Sequence, residues 1–286
     1  MAGKRLLPAD LTPDQVVALQ DALLANADRL LQAAAAMLDR GDASLARSLA
    51  ILGMEESGKA IALHERRVQI VHSTDGQSFV DQRLLNLWGM HSLKLETVHD
   101  FLVREEYWFG TEPSDPERNA EVLGTIEQWK RDQNQLKQRG FYVDVSPAGD
   151  PITPSEAADA DAVRAVVDSV HQIGWQLRLG EHIEGKRQHA QQQGVSPASE
   201  EEIEQTRHLM RRADPRIVDR VVDSMRVGVR GKNLQNAGYG FVLPENPFEN
   251  VGRPGYEAQD RELRALARDV EPSLGTDEVN EQAPQE

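Results

Sequence analysis

The sequence predicts an all-α protein: an antiparallel helical bundle, a less regular helical extension after it, and an acidic tail. Three observations lead there. Helix-capping signatures stand at the head of long amphipathic stretches. The breaks between those stretches are short, which makes successive helices antiparallel neighbours. Alternation of period two is confined to Phe141–Val145, too brief to build a sheet.

Each element has its own signal. Thr12-Pro13-Asp14-Gln15 is a capping box with proline in the first helical turn, and the helix it opens stops at Gly41. Asp42 caps a second helix that ends near Ser73, before the Asp75-Gly76 turn. A third helix is expected from Val80 to Phe109, closed by Gly110 and the TEPSDP segment. Pro116 starts a fourth, which ends at Arg139-Gly140. After the short extended piece, Thr153-Pro154-Ser155-Glu156 reads as a second capping box, opening a long helix through Ala190. Gly194 to Pro197 is a break. Ser199 with Glu202 caps a shorter helix, and Pro215 starts another that runs to about Val229. Gly231 to Tyr256 is rich in Gly, Asn and Pro and reads as a wrapping loop; a short helix from Ala258 to Arg268 precedes the tail. This gives a bundle over residues 1–192, a helical and looped extension over 193–270, and a disordered acidic tail over 271–286.

Composition narrows the function. The chain has 286 residues, no cysteine and a formal charge of -15. Disulfides, thiolate zinc sites and thiol nucleophiles are excluded. So strong an acidic balance disfavours broad binding to duplex nucleic acid, which needs clustered Lys and Arg, but leaves room for a small basic cleft. No apolar run approaches the ~20 residues of a membrane span, and the N-terminus lacks a secretory pattern. The expectation is a soluble, cytoplasmic protein with no membrane partner. There is no phosphate loop and no dinucleotide fingerprint. His182 and His189 share a helical face without a carboxylate partner. The reading therefore assigns no metal and no cofactor.

Two stretches carry polar groups where apolar ones belong. Leu45, Leu49, Leu52, Glu56 and Leu63 fall on one stripe of the second helix, placing the Glu56 carboxylate in the core. The third helix has the stripe Leu84, Leu87, Trp88, His91, Leu95, Val98 and Leu102, with Lys94 about one turn beyond His91. A buried carboxylate needs a donor, so Glu56 is expected to approach His91 or Lys94. Glu55 and Lys59, spaced i and i+4, suit a surface ion pair.

Arginine-histidine pairs are the candidates for chemistry. Arg67 and His72 have four residues between them, Arg164 and His171 six. A histidine can move a proton at a ribose 2'-hydroxyl or at the leaving oxygen, while an arginine stabilises charge on the phosphate. The first pair lies in a locally basic segment, HERRVQIVH; the second has Asp168 one turn before His171 but acidic surroundings.

The segment LARSLAILGMEESGKA, with Glu55, Glu56, Gly58 and Lys59, resembles the hallmark of AbiV-type abortive infection proteins. WGMHSLKLE is similar to the family's next segment and supplies His91, Lys94 and Leu95. LKQRGFYVDV resembles a third and supplies Arg139, Tyr142, Val143 and Asp144, with Phe141 in place of a leucine. The order and spacing match over roughly Thr12 to Gln192. The resemblance implies a HEPN-like helical bundle that acts as a homodimer. It also implies phage-triggered arrest of translation, or metal-independent RNA cleavage by an Arg-x4–6-His pair, with a phage trigger protein, RNA or the translation machinery as partners. Trp88, Trp108 and Trp129 are available for a bundle or dimer interface. One departure stands out: Arg83 and His91 have seven residues between them, one too many for that pair. The alternative reading is a non-catalytic helical protein-binding module in which Glu56, His91 and Lys94 only set helix register.

Overall fold

A computed structural model describes residues 7–104, 115–154, 159–243, 252–257, 260 and 264. The protein is all-α, with two very short strand pairs among the described residues. α1 (Pro13–Asp39) opens on the Thr12 capping box and turns its buried stripe, Val16, Leu23, Leu24, Ala27, Leu31 and Ala34, onto α2 (Ala43–Ile70). Asp42 caps α2. This second helix is the axis of the bundle. α1, α4, α6 and α7 all pack against it, and 18 of its 28 residues are buried. Such a helix is enclosed nearly all round and shows no single apolar stripe.

Small residues make that enclosure possible. A Cβ on Gly58 would lie 2.4 Å from the Lys94 carbonyl oxygen, so the α2–α4 crossing needs a glycine there. Gly140 plays the same part for α6, where a Cβ would fall 2.2 Å from the Ser44 carbonyl oxygen.

Two of the expected helices are each a pair. The third divides into α3 (Gln82–Gly89) and α4 (His91–Arg104), because Met90 takes an extended conformation with φ -121° and ψ 115°. The fourth divides into α5 (Pro116–Leu123) and α6 (Ile126–Arg139) at Gly124, whose φ of 76° stops one helix before Thr125 caps the next. Phe141–Val145 contributes only β1 (Asp144–Val145), paired antiparallel with β2 (Pro151–Ile152). α7 (Ala160–Gln193) is capped by Asp159 rather than by Thr153, and Ser155 and Glu156 of the expected capping box lie outside the described residues. So do Trp108, most of the expected 258–268 helix and the tail.

Past α7 the chain forms β3 (Gly194–Val195), α8 (Glu200–Leu209), α9 (Pro215–Val227) and β4 (Val229–Arg230), with β3 and β4 paired antiparallel. It then returns to the bundle. Asn236 donates to the Ile70 and Ser73 carbonyls at the end of α2, at 2.8 and 2.9 Å. A 3-10 turn, Ala237–Tyr239, brings the Tyr239 hydroxyl to the Leu11 carbonyl at 2.7 Å and its ring onto Phe79. The Phe241 amide donates to Gln188, and its ring lies 5.2 Å from the His64 imidazole. The segment is thus a strap across α1, α2 and α7.

Gly58→Ala should loosen the α2–α4 crossing and cost about 1–3 kcal/mol, the usual range for overpacking, measurable by denaturant titration. A second expectation concerns acid. His64 is fully buried beneath the strap, and burial pushes its pKa down to about 4. The folded state therefore refuses a proton that the unfolded chain accepts below pH ~6.5. Stability should fall as pH drops from ~6.5 towards 4, by at most about 3 kcal/mol from this group. His64→Gln should flatten that slope in thermal melts between pH 4 and 7.

Candidate functional site

The family-like segments meet where α2, α4 and α6 converge, and the group at the centre is Glu55. Its carboxylate is 4% exposed. One oxygen accepts from Lys137 Nζ at 2.5 Å; the other lies 2.5 Å from His91 Nδ1 and 3.9 Å from Lys94 Nζ. Two helices, α4 and α6, thus hold one buried charge carried by α2. Lys137 is fixed by the backbone as well, since its carbonyl accepts from Ser48 Oγ at 2.7 Å. Burial, aided by neighbouring Lys59, lowers the Lys94 pKa, while Glu55 and Glu56 oppose the shift.

The expected central carboxylate was Glu56; it is Glu55. Glu56 sits at the rim, 2.6 Å from Lys59 Nζ, and Lys59 in turn lies over the Trp88 ring at 5.7 Å. The expected surface pair Glu55–Lys59 is replaced by this i, i+3 pair. The cause is the enclosure of α2: with neighbours on every side, both glutamates of the pair border packed helices, and apolar spacing cannot choose between them.

His91 differs from the lysines. Its side chain is 63% exposed and lines a groove of about 500 Å3 between α4 and α6, with Glu127, Lys130, Arg131, Asn134 and Gln138. Glu55 holds Nδ1, which fixes the ring and leaves Nε2 without a partner among the described residues. Lys130 is tied to Glu96 and Glu127 at 3.4 and 2.7 Å, while Arg131 is exposed and has no ion-pair partner among the described residues. Gln138 also borders a second recess of about 400 Å3, lined by Arg139, Tyr142 and Asp144. The two recesses thus adjoin at Gln138. Lys137, Lys130 and Arg131 were not singled out from the sequence; Lys137 stands inside the family-like LKQRGFYVDV stretch, and that was its only signal.

The two arginine-histidine pairs are placed elsewhere. Arg67 is buried under the strap, its guanidinium donating to the Tyr239 and Gly240 carbonyls at 3.3 and 2.9 Å and to Glu181 at 3.2 Å, with Phe241 stacked 4.0 Å away. His72 is exposed beyond the end of α2. Beside Arg67, the fully buried Arg178 bonds Asp21, Glu181 and the Pro254 carbonyl. Arg67 anchors the strap, and Arg178 holds the Pro254 carbonyl further along the chain. On α7, Arg164 is exposed and turns to Asp161 at 3.2 Å, whereas His171 is mostly buried with Nδ1 3.6 Å from Asp28.

Among the described residues no three His, Asp or Glu side chains gather as a metal site, and no helix is long and apolar enough to cross a membrane. The chain belongs to the AbiV family of HEPN proteins, whose model matches residues 15–175. No curated protein and no solved structure matches it. Membership of this family points to phage defence by abortive infection.

Glu55→Gln should destabilise the fold by about 3 kcal/mol or more, because two buried ammonium groups lose their counter-charge. Glu56→Gln should cost under about 1 kcal/mol, as rim ion pairs do. Parallel denaturant titrations of the two variants check the assignment; equal effects would refute it.

Proposed function

We propose that this chain is an abortive-infection effector that acts on RNA at the α4–α6 groove. One observation carries the reading: a buried carboxylate, Glu55, orients an imidazole, His91, whose other nitrogen opens onto a groove bearing Arg131. A carboxylate on Nδ1 keeps the proton there and leaves Nε2 basic. In this proposal Nε2 takes the proton of a ribose 2'-hydroxyl, whose oxygen attacks the adjacent phosphorus; the bond to the 5'-oxygen breaks, leaving a 2',3'-cyclic phosphate, and the departing oxygen takes a proton from water, while Arg131 steadies the charge that builds on the phosphate and Arg139 and Tyr142 guide the strand alongside. No metal takes part. The exposed Arg131 and Arg139 of α6, which have no ion-pair partner among the described residues, support the reading. In a chain of charge -15 such a patch concentrates a polyanion at one place. Arg67–His72 and Arg164–His171 are not proposed as the reacting pair, because Arg67 is committed to the strap and Arg164 to Asp161.

A second reading is favoured by the way Glu55 is satisfied on every side: the cluster sets helix register, and translation stops because the groove binds RNA without cutting it. His91→Ala separates the two. The imidazole is mostly exposed, so its loss leaves the fold largely intact. Induced in bacteria during phage infection, the wild-type chain should halt protein synthesis and fragment RNA, insensitive to chelator. His91→Ala should lower cleavage by about 100-fold or more. RNA that stays whole while synthesis stops would reject cleavage and favour the binding reading.

A further inference from the structure

A separate cleft of about 350 Å3 opens where the C-terminal halves of α2 and α4 meet the start of α3. It shares no lining residue with the groove at His91. Ile61, Glu65 and Val68 reach it from successive turns of one face of α2. Asp100, Phe101 and Arg104 come from the end of α4, and Arg83 from the first turn of α3. The floor is apolar: Ile61 and Phe101 are buried and Val68 is half-buried. His64 also borders the cleft. Burial pushes its pKa down to about 4, so the imidazole adds no charge there near neutral pH.

The rim is charged, and its opposite charges are held apart. Glu65 is the common counter-ion of two arginines: one oxygen accepts from Arg83 Nη2 at 3.1 Å, the other from Arg104 Nη2 at 2.5 Å. One carboxylate serving two guanidiniums leaves an excess positive charge at the rim. Arg83 is 56% exposed and has no other ion-pair partner among the described residues. Asp100 carries the balancing negative charge. It lies one turn before Arg104, whose Nε donates to the Asp100 backbone carbonyl at 3.2 Å, so the two side chains are neighbours. They make no ion pair, because Arg104 turns to Glu65. The Asp100 carboxylate is 51% exposed, and its one ion-pair contact among the described residues is with His99 Nδ1 at 3.9 Å, beyond hydrogen-bond reach.

We propose that this cleft binds a free apolar α-amino acid, its carboxylate on Arg83 and Arg104, its ammonium on Asp100 and its side chain on Ile61, Val68 and Phe101. The charge pattern selects this class. A phosphate ester or a simple carboxylic acid sets a like charge against Asp100; an amine sets one against the arginines. A neutral apolar molecule covers the rim charges without pairing them. A peptide end carries one of the two charges, whereas an amino acid carries both on adjacent atoms. Two cations and two anions line the cleft, so a zwitterion enters without stranding charge. The volume lies at the small end of small-molecule sites, which suits one residue rather than a chain. The site is independent of the chemistry proposed at His91.

Calorimetry and thermal melting of the full-length chain test this, with L-leucine and L-phenylalanine as probes. At least one of them should bind saturably and raise the melting temperature. Its N-acetyl derivative, which lacks the ammonium, and its amide, which lacks the carboxylate, should each bind at least about tenfold more weakly. Glycine, with no side chain for the floor, should do the same. Asp100→Asn should erase the preference over the N-acetyl derivative, and Arg83→Gln should narrow the preference over the amide. Both positions are half exposed, so each variant without ligand should melt as the wild type does. Absence of binding by both amino acids at millimolar concentration, derivatives that bind as tightly as the parent, or preferences unchanged in both variants would each overturn the proposal.

Discussion

Helix α2 is walled in on every side, and its polar side chains must therefore find partners on other elements or leave charge stranded in the core. Four of them reach across to other elements. Ser48 donates to the Lys137 carbonyl of α6. Glu55 takes His91 and Lys94 from α4 and Lys137 from α6. Arg66 donates to the Phe79 and Ser78 carbonyls at 2.9 and 2.7 Å and holds the approach to α3. Arg67 holds the strap. Apolar contact alone would let these elements slide along α2; hydrogen bonds to buried groups give each a single register.

The two charged clusters on this helix have opposite relations to solvent. At Glu55 the charge is sealed but one ligand, His91, reaches outward, so the burial that stabilises the bundle also orients an exposed base. At Arg67 and Arg178 the guanidiniums are capped by backbone carbonyls of residues 239–240 and 254, and nothing reaches outward. The same type of buried ion pair thus underlies the candidate site in one place and a clasp in the other. The strap also explains how a chain segment of low helical content is held: its carbonyls are the counter-groups that the buried arginines need.

The net charge of -15 is unevenly spread. The exposed Arg131 and Arg139 of α6 form a small basic island, and the first turn of α8, with Glu200, Glu201 and Glu202, forms an acidic one. In an acidic protein such islands set where anionic or oppositely charged surfaces meet it, through steering rather than through bulk affinity.

The helical class, the capped starts of α1, α2, α8 and α9, and the membership signalled by Glu55, Gly58, His91 and Tyr142 were legible in the chain, because caps, proline positions and short motifs are local. The divisions at Met90 and Gly124 were less so: a single residue in an extended or left-handed conformation ends a helix without changing the apolar period on either side. Apolar spacing pointed to Glu56 where the core holds Glu55, since spacing measures one stripe and α2 is buried on several. Lys137 lies 82 residues from Glu55, and Arg67 lies 173 residues from the Gly240 carbonyl that receives it. Pairings at such separations depend on which helices become neighbours. The sequence by itself determined where helices begin and which polar groups would need partners; only the tertiary structure decided which partner each one met, because a buried charge is satisfied by position in space and not by distance along the chain.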